Sequence, residues 1–199
     1  LLDPDRVFSP GVSDNADFEA YFLQKGIPCH LIDHTVEAPP FNHSLINFEK
    51  KRLGQFTDNT SFSLEDWVNK HAKPGEELFL QMDIEGSEYE VFQSCPRYVL
   101  ERFSVIVLEL HGLSMATTSF GKSFFQFFIE GLKESHTIVH AHPNNCCNRV
   151  KGRDGKIWPE VLELTLVRKN CINALPGTVV KLPHVLDRNN TRNKTLNFR

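Results

Sequence analysis

The sequence predicts an α/β protein with a mostly parallel β-sheet and helices on both faces of the sheet. Three observations support this prediction. Strand-like and helix-like segments alternate through most of the 199 residues, which is typical of parallel strands connected by helices. The clearest strand-like segments, 78–82 and 103–110, are short apolar runs, as strands covered on both faces require. The last two strand-like segments have no helix between them, so we expect an antiparallel hairpin.

The first half of the chain contributes four predicted strands and three helices. The strands cover residues 6–9, 28–33, 44–49 and 78–82. Asp14 or Asn15 can cap the helix after the first strand, and Gly26 ends it. A second helix begins at Ser63, the N-cap of a capping-box-like sequence with Asp66 at the third helical position. A third helix follows the fourth strand.

The second half contains the most apolar strand, a Phe-rich helix and the hairpin. The strands cover residues 103–110, 137–142 and 161–167. The helix over 119–134 carries Phe124, Phe125, Phe127, Phe128 and Leu132, and this spacing predicts core packing. We expect one domain over residues 1–186 and a mobile polar tail over residues 187–199.

Composition argues against two classes of partner. The net charge of −3 gives no basic surface of the kind that nucleic-acid binding requires. The basic runs at Lys50-Lys51-Arg52 and after Arg188 are short enough to be solvated surface. No apolar run approaches the roughly 20 residues of a membrane span. We expect no nucleic-acid partner and no membrane span in this chain, and the oligomeric state is left open.

Cysteines and glycosylation motifs do not fix the compartment. The five cysteines do not form a disulfide framework or a CxxC zinc site. Cys146 and Cys147 are adjacent, and we interpret them either as a redox pair or as two loop thiols. The default expectation is a cytoplasmic protein, and a secretory route follows only if a targeting segment precedes the chain. The N-x-S/T motifs that would favour that route are at Asn42, Asn59, Asn189 and Asn193.

The most informative segment is LFLQMDIEGSEYEVF, residues 78–92, in which a strand ends in carboxylates. Asp83 and Glu85 follow the apolar run directly, and Gly86-Ser87 opens a helical pattern. Ligands of open α/β sheets bind beyond the carboxyl ends of the strands, which favours a catalytic or binding role for both carboxylates. The alternative is that Asp83 caps the helix and Glu85 lies in its first turn.

Five segments resemble the FkbM-type S-adenosylmethionine-dependent methyltransferases. MDIEGSEYEVF is similar to the family's fourth strand and the turn after it, although Gln81 stands where the family most often has Lys. The other segments are SLEDW at 63–67, VLELH at 107–111, HAHPNN at 140–145 and PEVLELTLVRK at 159–169. The resemblance covers residues 7–169 and implies a class I, Rossmann-like three-layer αβα sandwich. Its seven-stranded sheet has the last strand antiparallel between strands five and six.

The resemblance implies that S-adenosylmethionine is the cofactor. Asp33 lies about 22 residues after Gly11, the spacing of ribose recognition in dinucleotide-binding folds, although it can also form an Asx turn with Thr35. Gly11 lets the backbone approach a ligand closely. The cofactor-binding candidates are Ser9, Gly11, Ser13, Asp14, Asp33 and Asp83.

The acceptor implied by the resemblance is a small molecule or glycan with a hydroxyl group, such as a sugar. The catalytic candidates are Asp83, Glu85, Glu109 and His111. His111 is the expected general base, because an unperturbed histidine has a pKa of about 6.5. The alternative activator is Mg²⁺ or Mn²⁺ held by Asp83, Glu109 and His111. His142 and Asn144 are second candidates for contact with a substrate or metal.

Two rival functions are kept open. The first loop, 9–13, lacks the glycine-rich acidic sequence of generic methyltransferases, so an inactive methyltransferase-like domain that binds a glycan or a protein is one alternative. A nicotinamide-dependent oxidoreductase is the other, because it shares the alternating pattern and an acidic residue at position 33. That class requires a GxGxxG sequence after the first strand, which this chain lacks.

Overall fold

The structure, a computed structural model, describes residues 3–147, 149–152, 155, 157–172 and 184–193. Within these residues the chain forms eleven β-strands, five α-helices and two short 3-10 helices. The strands are β1 Arg6–Pro10, β2 Cys29–Ile32, β3 Ile46–Glu49, β4 Arg52–Gly54, β5 Ser61–Ser63, β6 Leu78–Met82, β7 Phe103–Leu110, β8 His136–Pro143, β9 Arg149–Lys151, β10 Ile157–Pro159 and β11 Leu162–Arg168. The helices are α1 Asp17–Gln24, α2 Leu64–His71, α3 Glu88–Ser94, α4 Arg97–Leu100 and α5 Ser119–Ser135, with 3-10 helices at Leu113–Thr117 and Lys169–Cys171.

Seven of the described strands form one sheet in the order β3-β2-β1-β6-β7-β11-β8. β1 pairs in parallel with β2 and with β6, and β2 pairs in parallel with β3. β11 pairs antiparallel with β8, with a register shift between Thr165 and Leu166. The predicted Rossmann-like fold, a mostly parallel sheet that ends in an antiparallel hairpin, is confirmed. β11 lies between β7 and β8, as the resemblance implies.

The chain divides into two compact units, Leu1–Ile106 and Val107–Arg199. In the first unit the parallel strands are covered on both faces. On one face the ring of Trp67 from α2 packs edge-on against the fully buried Phe8, with 5.0 Å between the centroids. On the other face Phe79 packs against Phe18 and Phe22 of α1, at 5.5 and 5.3 Å. This double coverage explains the apolar runs in the sequence.

In the second unit the Phe-rich helix α5 packs through a narrow stripe. Phe128 and Leu132 are buried, whereas Phe120 and Phe127 are 82% and 72% exposed. The prediction of core packing is therefore correct for Phe128 and Leu132 but wrong for Phe127, because only one side of the helix contacts the core. No helix in the described part of the chain has the length and apolarity needed to cross a bilayer.

The loop after β8 contacts a segment near the C-terminus. Cys146 and Cys147 are joined by a disulfide, so the adjacent pair is not two free loop thiols. Residues 184–193 run beside β8, where the Asp187 carboxylate lies 2.9 Å from His140 Nε2 and 3.4 Å from His142 Nδ1. The predicted tail, 187–199, is described as far as residue 193, and its last six residues lie outside the described part.

Candidate active site

A cavity of about 300 Å³ lies in the first unit at the carboxyl ends of β1, β2 and β6. Five predicted site residues line it: Gly11, Ser13, Asp33, Asp83 and Glu85. Another recess, of about 360 Å³ beside β3, has none of the predicted site residues in its lining. Because ligands of parallel sheets bind beyond the strand ends, the cavity at β1, β2 and β6 is the candidate cofactor site.

The turn after β1 lies directly against the end of β6. Gly11 has a φ of 84°, and a Cβ atom at this residue would lie 1.5 Å from the backbone oxygen of Asp83. The Asp83 amide donates a hydrogen bond to the Pro10 carbonyl at 3.2 Å. Glycine is therefore required at residue 11 by both conformation and space. The close approach in the structure is to Asp83, and the approach to a ligand stays a prediction.

Asp33 is nearly buried, and its carboxylate connects two parts of the cavity wall. Its Oδ2 accepts a hydrogen bond from the Ser13 amide at 2.9 Å, and its Oδ1 accepts from the amide and hydroxyl of Thr35 at 2.7 and 2.6 Å. Burial alone would raise the pKa of Asp33, but the hydrogen bonds from Thr35 and Ser13 outweigh it and keep the pKa below its ordinary value. Asp33 thus forms the Asx turn and lines the cavity at the same time. Its Oδ2 has the capacity to accept one more hydrogen bond.

Two predicted cofactor-binding residues do not line the cavity. Ser9 is fully buried, and its hydroxyl contacts Glu19 Oε1 and lies 2.6 Å from Gln81 Oε1. Ser9 lies within β1, as predicted, but its side chain faces the core and not the cavity. Asp14 is exposed and is not part of the cavity wall.

The central motif forms a turn between β6 and α3. α3 begins at Glu88 with Ser87 as its N-cap, so Asp83 lies too far before the helix to cap it. Glu85 has a φ of 55°, a left-handed conformation outside the first helical turn. The alternative interpretation of Asp83 and Glu85 as helix-capping residues is therefore wrong. Both residues line the cavity, and left-handed non-glycine residues are concentrated at functional sites.

The fully buried carboxylate of Glu88 holds this turn in place, a role that the sequence analysis did not assign. Its Oε1 accepts hydrogen bonds from the amides of Ile84 and Gly86 at 3.2 and 3.1 Å. Each bond ties the start of α3 back to the turn. The spacing of Gly86 and Glu88 in EGSE was the available signal, because a carboxylate at the start of a helix often accepts from nearby amides.

Basic residues after β3 also line the cavity. Lys51 and Arg52 were interpreted as solvated surface, but both contribute to the wall, next to the buried Leu53. The Lys51 ammonium lies 4.5 Å from the ring centroid of Phe62, and Arg52 pairs with Glu90 at 3.9 Å. A short basic run carries no signal of its own for a cavity, so sequence reasoning could not find these residues.

In the second unit, Glu109 is the last residue but one of β7 and forms part of a polar cluster. The Asn144 side-chain amide donates to Glu109 Oε1 at 2.9 Å and to Glu163 Oε1 at 3.0 Å. His142 lies beside Asp187, as described above. His111 is half-buried at the end of β7, before Gly112, whose φ of 74° turns the chain. The convergence of Glu109 and His111 with the β6 carboxylates stays a prediction.

Residues 41–134 match the family model of the methyltransferase FkbM domain, which is slightly less than half of the chain. The match includes α2, β6, the MDIEGSEYEVF segment and β7. The resemblance to the FkbM methyltransferases is confirmed. The family match supports the coarser prediction of an S-adenosylmethionine-dependent methyltransferase. A comparison with curated proteins found no match.

Solved structures with low sequence identity also resemble this chain. The fibrillarin/Nop5p complex matches at 10% identity and a TM-score of 0.49, over 84% of this chain and 74% of that chain. A Burkholderia thailandensis 1,6-didemethyltoxoflavin-N1-methyltransferase with bound 1,6-didemethyltoxoflavin and S-adenosylhomocysteine matches at 12% identity and a TM-score of 0.43, over 83% and 71%. A SAM-dependent methyltransferase from Anabaena variabilis matches at 10% identity and a TM-score of 0.41, over 82% and 77%.

Proposed function

We propose that this chain transfers a methyl group from S-adenosylmethionine to a hydroxyl group, on a sugar or another small polyol. The observation that carries the proposal is the cavity at the strand ends, whose wall combines Asp33, Gly11 and Asp83. The match to the FkbM domain supports the same chemistry. The hydroxyl acceptor comes from the family resemblance.

The cavity wall fits the parts of the cofactor. Asp33 Oδ2 keeps one acceptor position after its bond to the Ser13 amide, which suits a ribose hydroxyl. The buried Leu53 offers an apolar surface for an adenine ring. Gly11 and Ser13 form the part of the wall that would hold the amino-acid end of the cofactor. When bound, S-adenosylmethionine supplies an electrophilic methyl group.

The residues of the chain then have to orient and deprotonate the acceptor. Asp83 and Glu85 present carboxylates to the cavity, where they can accept hydrogen bonds from hydroxyl groups. We assign proton removal to His111, because a histidine titrates near neutral pH and can hold the proton during the transfer. Glu109 is assigned the orientation of the acceptor. A divalent cation bound by Asp83, Glu109 and His111 is the alternative activator.

Calorimetric titration with S-adenosylhomocysteine, with and without Mg²⁺, tests the cofactor assignment. We expect micromolar binding by the wild-type protein and at least about tenfold weaker binding by Asp33→Asn, which removes one charge-assisted hydrogen bond. Asp14→Asn is the matched control, because it removes an exposed carboxylate near the same loop. Absence of binding by the wild-type protein, or equal effects of the two substitutions, would contradict the assignment.

Activity is tested with a panel of methyl glycosides and radiolabelled S-adenosylmethionine. Transfer that survives chelation favours His111 as the activator, and transfer that requires Mg²⁺ or Mn²⁺ favours the metal alternative. A second candidate function, a methyltransferase-like domain that binds without turnover, is favoured by the positions of Ser9 and Asp14 outside the cavity wall. Cofactor binding with no transfer to any glycoside of the panel supports that candidate.

A further inference from the structure

We propose that Asn144 is a positioning residue for methyl transfer, which acts by holding the carboxylates of Glu109 and Glu163 with one side-chain amide. The inference rests on the proposed function and adds a residue to it. All three residues lie in the second unit, and they belong to neighbouring positions in the sheet order: β7, β11 and the loop after β8.

Each polar atom of the Asn144 side-chain amide takes part in a hydrogen bond. Asn144 is 2% exposed. Its Nδ2 donates one hydrogen to Glu109 and the other to Glu163, at 2.9 and 3.0 Å. Its Oδ1 accepts from the Cys146 amide at 2.8 Å. Rotation of the amide by half a turn would place Oδ1 against two carboxylates, so the hydrogen bonds fix one orientation.

The backbone around Asn144 is fixed as well. Its amide donates to the Val161 carbonyl at 3.1 Å, at the start of the strand that carries Glu163. The side chain therefore approaches Glu109 from a loop that is tied to the hairpin. A buried side chain with a fixed backbone and a fixed orientation is suited to holding a second side chain in place.

One amide nitrogen holds two carboxyl groups in place. Glu109 Oε1 and Glu163 Oε1 both accept from Asn144 Nδ2, so the position of Glu109 is tied to β11 as well as to the loop after β8. A carboxyl oxygen of Glu109 that is held near the end of β7 can accept a hydrogen bond from an acceptor hydroxyl, which is the role assigned to Glu109.

Asn145 provides a matched control for the loss of loop structure. It has the same side chain and the same 2% exposure as Asn144. Its Nδ2 donates to the carbonyls of Thr191 and Asn193, at 3.1 and 2.8 Å, instead of to carboxylates. Substitution of Asn145 loosens the same loop without removing a contact to Glu109.

The experiment compares Asn144→Leu, Asn145→Leu, Glu109→Gln and the double variant Asn144→Leu with Glu109→Gln. The measurements are kcat and KM for the methyl glycoside that the wild-type protein methylates fastest, together with S-adenosylhomocysteine affinity. We expect Asn144→Leu to lower kcat by about 10–100-fold, the effect of a misplaced group at a reacting centre. We expect KM and cofactor affinity to change by less than about twofold, and Asn145→Leu to leave kcat within the same limit.

The double variant tests whether Asn144 acts through Glu109. If it does, Glu109→Gln and the double variant have equal kcat, because the second substitution has nothing left to misplace. Three results would each overturn this inference but leave the proposed function standing. The first is a wild-type kcat in Asn144→Leu, and the second is an equal loss of kcat in Asn144→Leu and Asn145→Leu. The third is a double variant whose loss of kcat is the sum of the two single losses. A wild-type protein that neither binds S-adenosylhomocysteine nor transfers methyl groups overturns the proposed function and the inference with it.

Discussion

At the scale of single residues, Glu19 places a carboxyl group in the core of the first unit. It is 2% exposed, and the Ser9 hydroxyl contacts it. Burial raises the pKa of Glu19 above its ordinary value, and the hydrogen bond from Ser9 opposes this only in part. The neutral form of Glu19 is therefore favoured in the folded protein more than in the unfolded chain.

We predict that Glu19→Gln stabilises the protein at neutral pH. In the unfolded chain the Glu19 carboxyl group has its ordinary pKa of 4.5. Below that pH the group is protonated in both the folded and the unfolded state, so it does not change the free energy of unfolding. Above that value the folded state is penalised, and stability falls as the pH rises through the folded pKa. Urea unfolding should therefore give a higher free energy of unfolding for Glu19→Gln at pH 7 and little difference from wild type near pH 4.

The variant Gln81→Lys provides a second test of the protonation of Glu19. Gln81 also contacts Ser9, and Lys would place a cation beside the Glu19 carboxyl. An adjacent positive charge lowers the pKa of a carboxyl group, so this variant should lose less stability than wild type between pH 4 and pH 7. A Glu19→Gln protein that is less stable than wild type at pH 7 would show that Glu19 is ionised and stabilising in the fold.

Glu88 carries the second prediction at this scale. Glu88→Ala removes the acceptor of the Ile84 and Gly86 amides, and a typical hydrogen bond contributes about 0.5–1.5 kcal/mol. We expect a loss of about 2 kcal/mol in the free energy of unfolding and weaker S-adenosylhomocysteine binding, since the turn lines the cavity. Glu88→Gln keeps an acceptor oxygen and should lose less. Cofactor affinity equal to wild type in Glu88→Ala would contradict the positioning of this turn by Glu88.

At the scale of elements, α2 follows its local sequence closely. Ser63 is the N-cap, as predicted, and its hydroxyl accepts from the Asp66 amide at 3.1 Å. We predict that Ser63→Ala lowers the free energy of unfolding by about 1 kcal/mol. Ser63→Asp should keep most of the stability that the N-cap contributes, because aspartate is also a good N-cap residue. Chemical denaturation of the two variants checks this. Equal losses in both would show that another contact, such as the Thr57 hydroxyl, dominates at this residue.

The seven strands of the main sheet could be predicted because each buries apolar side chains or ends in a recognisable turn. β4, β5, β9 and β10 were missed, since each has only three residues and three residues show no periodicity. The cap of α1 was also predicted incorrectly. Ala16 is the N-cap. Asn15 lies one residue before it, and its side-chain oxygen accepts a hydrogen bond of 2.8 Å from the Asp17 amide.

At the scale of the whole molecule, the strand-end rule located the cavity but not its full wall. Asp33, Asp83 and Glu85 could be predicted because they directly follow parallel strands. Ser9 was misassigned because its side chain points into the core, where it contacts Glu19 and Gln81, and the strand pattern alone does not show which way a small polar side chain points. Arg52, which follows β3, also lines the cavity. No local sequence pattern distinguishes such a residue from a solvated surface residue.

We predict that S-adenosylhomocysteine raises the thermal midpoint of the protein. A ligand that binds only the folded state stabilises it by about 2.7 kcal/mol at a concentration one hundred times its Kd. Differential scanning fluorimetry over a series of ligand concentrations measures this. Asp33→Asn should need a proportionally higher concentration for the same shift, and Asp14→Asn should match wild type. An identical shift in all three proteins would indicate binding elsewhere.

The Cys146–Cys147 disulfide makes the choice of buffer part of every assay described above. Cys147 is exposed, so dithiothreitol or a similar thiol has direct access to the bond. The Cys146 amide donates to the Asn144 side chain, so a routine reducing agent acts only two residues from the side chain that contacts Glu109. Activity measured with a reductant and activity measured without one therefore describe two covalent forms of the protein, and should be compared before any variant is interpreted.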